Sequence, residues 1–183
     1  MEQREKLLLR VAYKCQDFAR QLSYFRARPN KDDTHQLYFW KFVFNNFIDL
    51  AVLDWLHLFG SDRDDLHWKG IVWDIVSFKH GLLAQLRLND VQWNTYWKSV
   101  KEYRDKDVAH IEVRPTGHVP DMNTALKAVD YYYGYVFGEL SQIATYTDLA
   151  SNFIDYYEES FEQAEKIVAI AYTATRQIKE QVF

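Results

Sequence analysis

Proline and glycine are scarce in this chain, and their positions leave long uninterrupted intervals. The 183 residues contain six glycines and three prolines, Pro29, Pro115 and Pro120. Because proline ends or kinks a helix and glycine weakens one, intervals without either are typical of long helices. No segment shows the strand-like alternation of polar and apolar residues between turn pairs. The sequence therefore predicts an all-α protein.

Capping residues divide the chain into about six predicted helices. Asp32 or Asp33, Asn89 and Asp121 are suitable N-caps, and Gly60 is a suitable helix stop. The expected helices cover about residues 2–28, 33–59, 65–87, 89–112, 121–146 and 148–181. We expect a single domain over residues 1–183, folded as an antiparallel helical bundle in which 120–183 forms a C-terminal helical pair.

Two of these helices have apolar patterns that indicate how they pack. Apolar residues surround the second helix almost completely, which favours a central, buried position. The sixth helix has a narrow apolar seam at alternating steps of four and three, typical of packing against one other helix. The seam consists of Phe153, Tyr157, Ser160, Ala164, Ile167, Ala171, Ala174 and Ile178.

Composition and charge narrow the classes of function. With 48% hydrophobic and 17% aromatic residues, the chain is expected to fold around a substantial core. The net charge of −4 argues against gripping nucleic acid through bulk charge, but it leaves a local RNA site open. The single cysteine, Cys15, and the absence of a signal-like N-terminus favour a cytoplasmic protein. Six polar residues interrupt the apolar run 37–59, so no membrane span is expected.

The fourth predicted helix has charged residues where apolar ones are expected. Arg104 continues an apolar stripe, and a charge on such a stripe is costly unless it is paired. His110 continues a neighbouring aromatic stripe, and Asp107 lies three residues from each. One interpretation is a helix C-terminus whose basic residues complement the macrodipole. The other is a reaction site. The stripe that contains Arg104 is Trp93, Trp97, Val100, Arg104, Val108 and Ile111.

The spacing of Arg104 and His110 bears on how they could act together. On an ideal helix they are offset by about 9 Å along the axis and about 120° around it. They can therefore line one cleft, but they do not meet at a single atom. Two such helices crossing at a two-fold axis would bring two arginines and two histidines into one groove, which favours a homodimer.

The segment YRDKDVAH, residues 103–110, resembles the signature of the HEPN superfamily. That signature has an arginine, a polar residue after it, and a histidine after four to six intervening positions. Five residues intervene here, and Asp105 is the polar follower. The upstream segment LDWLHLFGSDRDDLHW, residues 53–68, is similar to the branch related to phage abortive-infection proteins. The resemblance covers about residues 35–115.

This resemblance implies a metal-independent, cofactor-free endoribonuclease of defence or toxin type that acts as a homodimer. His110 would transfer a proton as the RNA 2′-hydroxyl attacks the adjacent phosphate. Arg104 would stabilise the added negative charge, and Asp105 would orient the pair. An antitoxin or regulatory protein is a further implied partner. The alternative is a non-catalytic HEPN-like module that binds a partner protein or a nucleotide.

Two other groups of residues call for an interpretation. The spacing of the acidic and histidine residues at 54–67 matches no zinc or calcium loop, so capping and solvation are preferred to metal binding. The run Tyr131, Tyr132 and Tyr133 spreads over about 200° of a helix, so either one tyrosine reaches a partner-facing surface or a thick bundle buries most of them. The six tryptophans are expected in the core. The group at 54–67 is Asp54, His57, Asp62, Asp64, Asp65 and His67.

Overall fold

The computed structural model describes residues 2–29, 37–108 and 119–178, and in these ranges it contains helices and turns but no strand. This part of the chain has seven α-helices and one short π-helix. In chain order they are α1 (Glu2–Arg26), α2 (Tyr38–Phe59), α3 (Trp68–Ile71), α4 (Ile75–Leu86), α5 (Asp90–Tyr103), the π-helix (Arg104–Val108), α6 (Met122–Leu140) and α7 (Phe153–Thr175). The all-α prediction is confirmed.

Helix α1 lies at the centre of the fold, where it packs against α2, α6 and α7. Arg4, near its start, bonds Glu139 at the end of α6, with an Nη2–Oε1 distance of 2.8 Å. Arg26, at its end, bonds Asn123 in the first turn of α6. Helices α1 and α6 therefore run antiparallel. The apolar face that α1 buries consists of Leu8, Val11, Ala12, Cys15, Phe18, Ala19 and Leu22.

The expectation that the second helix is the central one is wrong. Helix α2 buries one face against α1, but Tyr38, Phe39, Phe42 and Leu50 are exposed on its other side. By length and composition α2 could cross a membrane, and half of that apolar window is buried inside the protein. The apolar pattern gave the wrong position for this helix because apolar residues on all sides of a helix do not show which of them a neighbouring helix covers.

The third predicted helix is divided into two. The short helix α3 ends at Ile71, and α4 starts after Asp74, whose carboxylate accepts a hydrogen bond from the Ser77 amide at 2.9 Å. That bond satisfies one of the backbone amides that lack an intrahelical partner at the start of α4. It therefore stabilises a new helix start here, and the chain forms two helices instead of one. Trp73 lies in the break and is 78% exposed, which makes it an exception to the expectation that the tryptophans are core residues.

The last two helices are shorter than predicted. Asp121 caps α6 as expected, but α6 ends at Leu140, and α7 starts after Asn152. The predicted seam is correct only near its start: Phe153 and Ala164 are buried, whereas Ile167, Ala174 and Ile178 are exposed. A straight α-helix drifts by about 20° per heptad relative to a 3.5-residue repeat, so the buried stripe passes through Val168 instead.

The three consecutive tyrosines of α6 contact three different parts of the protein. The Tyr132 hydroxyl donates to the Leu66 carbonyl, and the Tyr133 hydroxyl donates to the Ala150 carbonyl. Tyr131 packs against Phe78, and its hydroxyl lies against Gly81, where a Cβ atom would collide with it. Of the two interpretations of this run, the thick bundle is therefore the one that the structure favours.

Candidate active site

Arg104 lies where the backbone of the predicted fourth helix changes its hydrogen-bonding pattern. A capping box between Asn89 and Gln92 starts α5, and buried Trp93 and Val100 hold it on the protein. At Arg104 the α-helix gives way to a π-helix, so the prediction of one α-helix to about residue 112 is wrong. Such π segments are rare and frequently occur at functional sites. The 3.6-residue period of an ideal α-helix does not hold over Arg104–Val108.

The side chain of Arg104 is one-third exposed, and its Nε donates to Asp105 Oδ1 at 2.5 Å. Among the described residues, its Nη atoms have no hydrogen-bond partner. Asp105 therefore holds the guanidinium from one edge and leaves the forked edge available. His110 and the side chain of Asp107 lie outside the described residues, so their predicted roles stay predictions.

Two hydrogen bonds attach α5 to α2, and both come from residues that precede Arg104. The Tyr103 hydroxyl donates to Asp49 Oδ1 at 2.9 Å, and the Trp97 indole donates to the Phe59 carbonyl at 2.8 Å. The second bond satisfies a carbonyl at the end of α2, where helical carbonyls lack intrahelical partners. These contacts determine the width of the cleft between the two helices.

A cleft of about 540 Å³ opens between the end of α2, the following loop and α5. We call it the Arg104 cleft. Its polar lining includes Arg104, Lys101, His57 and Asp64. Lys101 lies over the Trp97 ring, 5.3 Å from the ring centroid, and has no ion pair among the described residues. The structure thus brings Arg104 together with a histidine that the sequence analysis had assigned to a different group.

His57 and Asp64 form a hydrogen-bonded pair on the wall of the Arg104 cleft. The distance from His57 Nδ1 to Asp64 Oδ2 is 2.6 Å, with His57 half exposed and Asp64 one-quarter exposed. The other carboxylate oxygen of Asp64 accepts from the Leu66 amide at 3.0 Å. Sequence reasoning missed this pair because it treated both residues as part of one group, 54–67, that it assigned to capping and solvation. The sequence signal that could have shown the pair is Gly60. It lies between His57 and Asp64 in the chain, ends α2 and lets the following loop turn back.

The acidic and histidine residues at 54–67 are divided among separate ion pairs. Asp54 bonds Lys14 at 2.9 Å, and burial raises the pKa of its carboxyl. Asp62 bonds Lys69 at 2.8 Å, which lowers the pKa of Asp62. Within the ranges that the structure describes, no three His, Cys, Asp or Glu side chains group closely enough to hold a metal ion.

His67 is a buried histidine with a structural role. It is the N-cap of α3, and its Nδ1 accepts from the Lys69 amide at 3.3 Å. Burial lowers the pKa of His67, because the charged imidazolium is poorly solvated there. The neutral ring is also the form that can accept the capping hydrogen bond.

We expect the free energy of unfolding to fall as the pH is lowered from 7 to 5. The unfolded chain binds a proton at His67 near pH 6.5, whereas the folded protein binds it only at lower pH. The unfolded state then holds more protons, so acid favours unfolding, by at most about 1.4 kcal/mol per pH unit for this one group. Denaturant unfolding at several pH values measures the slope. His67→Asn is the control, since an asparagine keeps the cap without titrating; an unchanged slope would contradict the assignment to His67.

Comparisons with known proteins identify no relative: no protein-family model matches the chain, and no curated protein or solved structure is significantly similar to it.

Proposed function

We propose that this chain is a metal-independent endoribonuclease of the HEPN type. The observation that supports the proposal most directly is the position of Arg104. It starts a π-helix, lines a cleft, is held at Nε by Asp105, and leaves its Nη donors without a partner among the described residues. A guanidinium held in this way matches two oxygens of a phosphate group.

The proposed reaction is attack of an RNA 2′-hydroxyl on the adjacent phosphorus. As the attack proceeds, negative charge grows on the non-bridging phosphate oxygens, and the Nη donors of Arg104 stabilise it. Asp105 keeps the guanidinium oriented. His110 follows the π-helix in the HEPN-like signature and supplies proton transfer, for which an imidazole is best suited near neutral pH. The products are a 2′,3′-cyclic phosphate end and a 5′-hydroxyl end.

We extend the proposal to a homodimer in the cytoplasm with a defence or toxin role, restrained by an antitoxin or regulatory protein. The exposed residues Phe39, Phe42 and Leu50 share one face of α2 with Leu53 and His57, which line the Arg104 cleft. Exposed apolar surface of this kind is typical of contact with another protein. A second copy covering this face would lie directly beside the cleft.

One observation favours the alternative, a non-catalytic HEPN-like module for a partner protein or nucleotide. Asp105 neutralises Arg104, and Glu102 pairs with Lys106 at 2.5 Å. The surface around the π-helix is therefore close to neutral, and long-range attraction of RNA is weak. A module that binds through the exposed face of α2 does not need that attraction.

The purified protein is expected to cut single-stranded RNA in excess chelator. The reason is that the proposed reaction uses a guanidinium and an imidazole in place of a metal. Gel analysis measures the cleavage, and enzymatic end-labelling identifies cyclic phosphate and 5′-hydroxyl ends. The control is the same strand with a deoxyribose at the cut position, which should stay intact. A stable dimer that leaves RNA uncut would support the binding module, and cutting that stops in chelator would contradict the mechanism.

A further inference from the structure

We propose that His57, held by Asp64, is a proton-transfer group of the Arg104 cleft, and that a phosphate group binds between His57, Lys101 and Arg104. The catalytic part of this inference rests on the proposed ribonuclease. The binding part, an anion site inside one chain, stands on the geometry of the cleft and does not require cleavage.

The chemistry of the proposed reaction requires two proton transfers. The 2′-hydroxyl must lose a proton as it attacks, and the leaving 5′-oxygen must gain one as its bond to phosphorus breaks. A single imidazole cannot be in the proton-accepting and proton-donating forms at once. Two different groups must therefore serve the same phosphate, and we assign the proton-accepting role to His57.

His57 has the arrangement of a positioned base. A hydrogen bond of 2.6 Å joins its Nδ1 to Asp64. An ionised carboxylate can only accept, so Nδ1 is the donor in this bond, and the neutral form of the ring then has its lone pair on Nε2. Asp64 is itself fixed by the Leu66 amide. Within the described part of the chain Nε2 has no hydrogen-bond partner, and the ring is half exposed on the wall of the cleft. A carboxylate in this position also stabilises the imidazolium that forms when the base takes a proton.

The cations of the cleft suit a phosphate group. Lys101 and Arg104 lie on α5 and the π-helix, across the cleft from His57 on α2. Asp62 also lines the cleft, but its charge is balanced by Lys69. The volume of about 540 Å³ is in the range of small-molecule sites, so the cleft has room for a phosphate group.

His57 Nε2 takes the proton of the 2′-hydroxyl, and the 2′-oxygen forms its bond to phosphorus. The bond from phosphorus to the 5′-oxygen breaks, and that oxygen takes a proton from a water molecule. Arg104 and Lys101 stabilise the charge on the non-bridging oxygens throughout. The hydroxide left by the water takes the proton from His57 Nε2, which returns the imidazole to its neutral form, and no oxidant or metal takes part.

The binding part is tested by titrating the protein with inorganic phosphate and following the histidine ring signals by NMR. We expect a saturable shift of the His57 signal, assigned with a His57→Gln variant, and loss of that shift in Lys101→Ala and Arg104→Ala. His80 is the matched control, since it is an exposed histidine on α4 and does not line the cleft. A His57 signal that phosphate leaves unmoved would overturn the anion site.

The catalytic part is tested by the rate of RNA cleavage. His57→Ala is expected to lower the rate by about 10²-fold or more, with partial recovery on adding free imidazole, while His80→Ala keeps the wild-type rate. Full activity of His57→Ala, or a loss that imidazole does not repair, would overturn the role in proton transfer. If the wild-type protein does not cut RNA but phosphate still shifts His57, the ribonuclease proposal and the proton-transfer role fail, whereas the anion site stands.

Discussion

Replacing Arg104 by alanine is expected to lower the rate of RNA cleavage by about 10²–10³-fold, the usual cost of removing a donor that stabilises developing negative charge. The variant should fold normally. Arg104 is one-third exposed and its ion pair with Asp105 lies near the surface, so the loss of unfolding free energy should stay below about 1 kcal/mol. Single-turnover cleavage of a labelled RNA measures the first effect, and thermal unfolding measures the second.

Two further variants test whether the loss of cleavage is specific to the guanidinium of Arg104. Arg20→Ala is the matched control, because Arg20 also pairs with a nearby aspartate, Asp17 at 2.6 Å, but it lies on α1 outside the Arg104 cleft. Arg104→Lys keeps the charge without the forked donors and should recover only part of the rate. If expression of the protein arrests growth, Arg104→Ala should relieve the arrest. Undiminished cleavage by Arg104→Ala would exclude the proposed role.

Replacing Phe59 by alanine is expected to lower the free energy of unfolding by about 3–5 kcal/mol. Phe59 is 2% exposed, and the rings of Trp55, Trp93 and Tyr132 surround it at centroid distances of 5.2 to 5.9 Å. Removing the ring leaves a cavity that these large side chains cannot fill without leaving their rotamers. Denaturant unfolding followed by circular dichroism measures the change.

The same helix offers a matched control for this experiment. Phe42 is 60% exposed on α2, so Phe42→Ala should change the stability of the monomer by less than about 0.5 kcal/mol. Equal losses in the two variants would contradict the burial that distinguishes them. A loss for Phe42→Ala that grows with protein concentration would indicate that a second copy covers this face of α2, as the homodimer proposal requires.

The helix termini were the part of the fold that the sequence predicted best. Gly60, Asn89 and Asp121 each mark a helix terminus at the expected position, because a cap depends on one residue and the backbone groups nearest to it. Asp74 provides the same kind of signal, but it was missed because the surrounding apolar pattern read as one continuous helix. A capping residue can therefore start a new helix even inside a continuous apolar pattern.

Helical structure, several helix ends and the burial of Trp93 and Val100 on the stripe that leads to Arg104 were predictable from the order of residues alone. These properties follow from the period of a helix and from contacts between near neighbours. Three properties depend on how the helices pack: the central position of α1, the exposed apolar face of α2, and the cleft that His57 and Asp64 share with Arg104. Periodicity identifies the face of a helix but not its partner, so a site built from distant parts of the chain becomes visible only when the helices are packed.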